Sequence, residues 1–265
     1  MDHISNNFLK ENQVADKGLL NRRLFLKKGL QFGAIASLAS TTPLSATNKT
    51  TRNKLSDLSW MHKPGTPFST YGQPSKFEDN VLRYPTQNQT VSGNGVSWTP
   101  LHLMEGTITP NGLHFERHHN GVPQINPKEH SLLLHGLVRD NLIYSIDNLL
   151  KYPMRSKICF IECGGNSNAG WNSQPSMSEA GYFNGMASCS EWTGIPLSLL
   201  LKEAGVRKDA KWLIAEGADA FAMQVSIPIK KALDDVLVAL YQNGERIRPE
   251  NGYPVRLIVP GWEGV

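Results

Sequence analysis

The feature that most constrains this 265-residue chain is an apolar run closing on a cysteine and two glycines, K-I-C-F-I-E-C-G-G-N at residues 157–166. The run predicts a buried strand over residues 157–162, because apolar residues bounded by glycine suit a covered sheet. Gly164 and Gly165 then let the backbone turn sharply and leave space over the Cys163 sulfur. Two readings follow. A free cysteine packs as a small buried hydrophobe, whereas a thiolate at a strand end beside two glycines can reach a bulky soft-metal centre.

The rest of the chain supplies more strands than helices. Short alternating stretches broken by Asn-Gly and Pro at residues 101–135 read as strands and turns, and residues 144–150 as a short helix ended by Pro153. A helix is expected over residues 197–204, stopped by Gly205. Strands are expected at 211–216, 222–227, 236–242 and 253–259, a short helix at 230–233, and a hairpin turn at Asn243-Gly244. Strands that do not alternate regularly with helices define a mixed α+β class. Residues 47–100, rich in Thr, Asn, Ser, Pro and Gly, read as an irregular arm before a main domain at 101–265.

The N-terminus reads as an address. Residues 21–28, N-R-R-L-F-L-K-K, match a twin-arginine export signal except that Asn21 replaces Ser or Thr. An uncharged, weakly apolar stretch follows and ends in small residues at Leu44-Ser45-Ala46, a cleavage point. The expectation is a signal over residues 1–46 and a periplasmic destination; a basic-fronted amphipathic helix is the bland alternative. The twin-arginine route carries folded proteins, which suits a chain that receives its cofactor before export. The same segment holds six Lys/Arg against three acids, so most of the net charge of +4 leaves with it. What remains is too little for a nucleic-acid footprint, and no apolar run is long enough to span a membrane.

Three cysteines, Cys159, Cys163 and Cys189, are an odd number, so at least one is free, liganded or paired between molecules. His114, His118 and His119 cluster in L-H-F-E-R-H-H-N-G-V-P. On a helix His114 and His118 would share a face, as in a zinc pair. Asn-Gly-Val-Pro follows at once, and Arg117 beside Glu116 fits an oxyanion or phosphate clamp as well as a solvated basic loop. No G-x-G-x-x-G, Walker A or G-x-S-x-G motif is present.

Four blocks, taken in order, resemble the sulfite oxidase family of molybdopterin enzymes. They are F-E-R-H-H-N-G-V-P at 115–123, I-E-C-G-G-N at 161–166, C-S-E-W-T-G-I-P-L at 189–197, and S-I-P-I-K-K-A with N-G-E-R-I-R-P-E-N-G-Y-P-V-R-L-I-V-P-G-W within 226–262. The resemblance implies a molybdenum-molybdopterin cofactor with Cys163 as the metal thiolate and Arg117 at the catalytic centre. Phe115, Glu116, Arg117, His118 and His119 would line the pterin, Arg117 and His119 donating to its phosphate. Asp219 would contact the pterin, and Asn251, standing where many members carry His, would close the pocket with Arg256.

Two departures sharpen the reading. Asn168 stands where many sulfite-oxidising members carry Arg, and Met223 where a tyrosine is expected. G-G-N-S-N-A-G-W, S-C-S-E-W-T-G and P-G-W-E-G look most like the sulfur dehydrogenase branch of the periplasmic thiosulfate-oxidising Sox system. That branch implies a carrier-bound sulfur substrate, a sulfur-carrier partner and a c-type cytochrome acceptor. Family members continue beyond the position of Val265 with a further pterin-contacting segment and an immunoglobulin-like dimerisation domain. The expectation is therefore a C-terminally incomplete or shortened domain without that route to homodimers. A periplasmic reductase of methionine sulfoxide, and a cofactor-free subunit that only binds a partner, are the other readings.

Overall fold

The computed structural model describes residues 58–174 and 178–265, with the backbone of Val14–Ala15 and Leu19–Leu20, which pair antiparallel. The expected export signal and the start of the expected arm otherwise lie outside the described residues. The chain divides into two units, Met1–Gly72 and Gln73–Val265. In the first, Ser59–Met61 forms a single 3-10 turn.

The second unit carries the α+β architecture. Strands β1 (Tyr84–Gln87), β2 (Gly95–Trp98) and β3 (Glu116–His118) form one antiparallel sheet. Part of the expected irregular arm is therefore ordered as a hairpin. Pro85 is tolerated there because β1 is the edge of that sheet. Strands β4 (Ser131–Leu134) and β5 (Leu142–Ser145) make a second hairpin, which runs into α1 (Ile146–Leu149). Ser145 and Asn148 cap α1 reciprocally, each side chain satisfying the other's backbone N–H.

The central sheet has β6 (Arg155–Glu162) at one edge and β7 (Ala187–Pro196) next to it. Between them in sequence lies α2 (Ala180–Phe183). After β7 come α3 (Leu197–Ala204), the hairpin β8 (Trp212–Glu216) and β9 (Gln224–Pro228), and α4 (Ile229–Asp234). Strand β10 (Leu237–Gln242) pairs with β7 on one side and with β11 (Glu245–Arg246) and β12 (Arg256–Ile258) on the other. All these pairings are antiparallel. Helix α3 buries Leu197, Leu200, Leu201 and Ala204, one face at helical spacing, and ends at Gly205 with φ 66°.

Two local features set the faces of this sheet. A Cβ on Gly194 would stand 2.2 Å from the Val238 carbonyl oxygen, so only glycine lets β7 and β10 approach there. The register shifts between Ala239 and Tyr241, a bulge that lets Leu240 and Tyr241 serve one face before Gln242 returns to the other. One face packs Ile195, Val238 and Leu240 against Leu200, Ile227 and Tyr144. The opposite face packs Phe115, Ile161, Trp192, Leu237, Ala239 and Ile258.

One expectation is corrected. Strand β6 is covered on one face only: Ile158 is 57% and Phe160 63% exposed, while Ile161 is buried. An apolar run reports that a strand meets a core, but its place at the sheet edge decides how many of its faces do.

Candidate active site

The cysteine turn is fixed by its own backbone. Cys163 N–H donates to the Met186 carbonyl at 3.0 Å, and the Cys163 carbonyl accepts from Asn166 N–H at 2.8 Å. Asn166 ties the turn down further, donating through Nδ2 to Glu162 at 3.0 Å and accepting from Met186 N–H at 3.0 Å. The Gly165 N–H points at the Cys163 sulfur at 3.4 Å. A Cβ at Gly165 would be 3.8 Å from both that sulfur and Asn168 Nδ2, so the glycine keeps open a space shared by thiol and carboxamide. Strand alternation sets Cys159, Ile161 and Cys163 on one face, and all three pack with the Phe115–Trp192 core.

That face also holds polar groups without partners. Arg256 lies with its guanidinium carbon 5.4 Å from the Trp192 ring centre and donates to the Asn251 carbonyl at 2.9 Å. It forms no ion pair among the described residues. Desolvation pulls its pKa down to about 10, which still leaves it charged at neutral pH. His114 is fully buried, stacks on Phe115 at 5.2 Å and meets the Phe115 carbonyl through Nδ1 at 2.8 Å. Burial lowers its pKa to about 4, so the ring is neutral. His114 Nε2, Trp192 Nε1, Gln242 Oε1 and Asn251 Oδ1 are all buried without a hydrogen-bond partner among the described residues.

The other residues expected at the site form two further groups. Arg117, on β3, donates to the carbonyls of Gly95 and His118. His119 stacks on Phe221 at 4.2 Å between ring centres. Its pKa is lowered first by desolvation and then by Arg117, against an opposing pull from Asp219, so Arg117, His119 and Asp219 share one neighbourhood. Asp219 itself accepts from Ala222 N–H at 3.0 Å and closes the turn that presents Phe221. Glu116 and His118 instead bind one another at 2.8 Å, and Glu116 also meets Arg83 at 2.9 Å and Ser97 at 3.3 Å. The His118 hydrogen bond is the main reason its carboxyl lies below the ordinary range. These two side chains hold β2, β3 and the preceding loop together.

The helical His114–His118 pairing does not form. His114 follows a 3-10 turn at Asn111–Leu113, and His118 lies in an extended strand. The three thiols are free. Phe160 pairs with Cys189 and Cys159 with Ser190, so Cys159 and Cys189 project from opposite faces of the sheet. Sequence reasoning did not single out Trp192, Gln242 or Arg83. Trp192 sits inside the E-W-T-G block, and strand alternation with Ser190 was the available signal for its face.

A molybdopterin offers a phosphate, ring edges with alternating donors and acceptors, and a metal that accepts a thiolate. A half-buried Arg256 without an acidic partner among the described residues, unsatisfied acceptors and a donor around it, and Cys163 on the same face fit that chemistry.

The family comparison agrees. The oxidoreductase molybdopterin binding domain matches residues 119–265, and the chain belongs to this family, as a molybdopterin oxidoreductase of the sulfite oxidase type. Its structure is similar to the sulfane dehydrogenase SoxCD from Paracoccus pantotrophus, with 39% identity and a TM-score of 0.73 over 80% of this chain and 55% of that one. Mitochondrial sulfite oxidase from Drosophila melanogaster is 35% identical over 61% of this chain and 30% of its own length. The NADH nitrate reductase from Ulva prolifera is 30% identical over 72% of this chain and 24% of its own. The chain thus spans under a third of these two curated relatives.

Proposed function

We propose that this chain oxidises reduced sulfur, as carrier-bound sulfane sulfur or sulfite, in the periplasm and passes the electrons to a c-type cytochrome. The observation that carries the reading is the half-buried Arg256, without an acidic partner among the described residues, beside unsatisfied buried groups on the face that presents Cys163. Its likeness to a sulfane dehydrogenase supports sulfur as the element oxidised, and Asn168 in place of an arginine favours a substrate other than free sulfite. When bound, the molybdenum cofactor supplies oxygen-atom transfer and a two-electron sink.

The chain's own residues do the rest. Cys163 would hold the metal from a turn whose backbone is already paired, so little reorganisation accompanies binding. Arg256, with Asn251 and His114 beside it, would hold the phosphate and ring edge. Arg117, His119 and Asp219 form a polar rim, where Arg117 carries the positive charge that attracts an anionic group. Met186, Phe115 and Trp98 keep water from the inner wall.

The test is to express the full-length gene, purify the exported product, measure molybdenum per chain, and follow cytochrome c reduction with carrier-bound sulfur. Metal-free protein from molybdenum-replete cells would overturn the proposal. Reduction of methionine sulfoxide with a viologen donor, without sulfur oxidation, would replace it with the repair reading.

A further inference from the structure

The segment around Glu263 crosses the end of β6 beside the cysteine. Gly264 N–H donates to the Glu162 carbonyl at 2.7 Å, which pins the backbone one residue before Cys163. From there the Glu263 carboxylate turns back onto the cysteine turn: its Oε2 is 2.9 Å from where a Cβ on Gly164 would stand. Any side chain at 164 would displace it, so Gly164 is the seat of this carboxylate. Glu263 is exposed and forms no ion pair among the described residues. Glu162, one residue before Cys163 and so on the opposite face of the strand, is held by a neutral amide. Asn168, across the space kept by Gly165, is neutral as well. The Gly164 side of the cysteine turn therefore carries the Glu263 carboxylate, while the Arg256 cation lies on the inner face behind the thiol.

We infer that Glu263 is a specificity-determining residue that repels small free oxyanions from the Cys163 turn and so favours sulfur borne on a neutral or cationic carrier. This rests on the sulfur-oxidation reading above. Two unit charges about 7 Å apart in water-rich surroundings change a local concentration roughly three-fold, and a dianion feels about the square of that.

The first experiment needs no metal. Full-length protein grown without molybdate is treated with methanethiosulfonates bearing an anionic, a neutral or a cationic tail, and modification of the Cys163 peptide is followed by mass spectrometry. All three reagents attack the same thiolate, so dividing their rates removes any change in its ionisation. In Glu263→Gln the preference for the cationic over the anionic reagent falls by roughly ten-fold. Glu263→Lys, at the same exposed position, reverses the preference. Unchanged ratios in both variants would overturn the inference.

In the loaded enzyme, Glu263→Gln lowers KM for free sulfite several-fold and leaves kcat and the carrier-bound reaction unchanged; an unaltered KM would also overturn it. Failure of every sulfur compound as a substrate would remove the sulfur reading and the substrate assignment with it. The reagent ratios would still decide whether Glu263 charges the turn.

Discussion

The two faces of the central sheet are built from the same strands and do different work. On one face Ile195, Val238 and Leu240 meet Leu200, Leu201 and Ile227, an aliphatic core. On the other, His114, Trp192, Gln242 and Asn251 leave buried polar atoms unmatched among the described residues, and Arg256 stands without an acid among them. A buried polar group without a partner costs about 1–3 kcal/mol. A fold that keeps four of them together on one face holds that face ready for a ligand, and the opposite face supplies the stability that permits it.

The sharpest way to break this contrast is at the sulfur. Cys163→Ser is expected to remove molybdenum from the purified chain and lower sulfur-dependent cytochrome c reduction by about 100-fold or more, a lost ligand costing at least as much as a lost supporting contact. Wild-type turnover in this variant would refute the ligand role. On the aliphatic face, Leu200→Ala should cost about 2–5 kcal/mol in urea unfolding, because Leu200 is completely buried. Molybdenum content per folded chain should stay the same.

The polar face should show itself through pH. His114 has a folded-state pKa of about 4, below the ordinary imidazole value of 6.5, so the unfolded chain takes up the proton first on acidification. Its contribution is complete above pH 6.5 and declines by up to about 3 kcal/mol as pH approaches 4. Urea midpoints of the metal-free chain at pH 7 and pH 5 would measure this, and His114→Phe should flatten the difference. The smallest effect is expected from Asn251→Leu, which removes the unpaired Oδ1 together with the Nδ2 contacts to the Phe115 carbonyl and His114 Nδ1, each at 3.3 Å. Loss of the Nδ2 contacts and relief of the unpaired Oδ1 offset one another, so the metal-free chain should stay within about 1 kcal/mol of its former stability, while cofactor retention, assayed by pterin release, falls. A loss of several kcal/mol would show that Asn251 serves the core and not the ligand.

What the sequence revealed follows from range. Gly205 as the stop of α3 and Asn243-Gly244 as the turn between β10 and β11 are local chemistry, and both stand where expected, the turn residues with φ of 49° and 82°. Cys163 at a strand end was equally local. The exposed face of β6 was not, because it depends on which strand lies at the sheet edge. Nor was the engagement of Glu116 with His118 and Arg83, residues drawn together by strand pairing and by a loop 33 positions away in sequence from Glu116. Within one motif, the alternation of β3 sends Glu116 and His118 to one side and Arg117 to the other, a division that spacing shows only once the segment is known to be extended.

The placement of the three thiols has a consequence for how the unloaded chain endures oxidants. Cys189 emerges from the far side of the pleated wall, and Cys159, on the near side, is four residues from Cys163 along a strand, about 13 Å at the usual rise. A bridge needs α-carbons within about 7 Å and Cβ atoms aimed at one another; Cys159 and Cys163 fail the first condition and Cys189 fails the second toward either, so no pair among the three can close without backbone movement in β6. An empty molecule can therefore wait for its metal without consuming its own ligand, and non-reducing mass spectrometry of the air-exposed monomer should find three unlinked sulfurs.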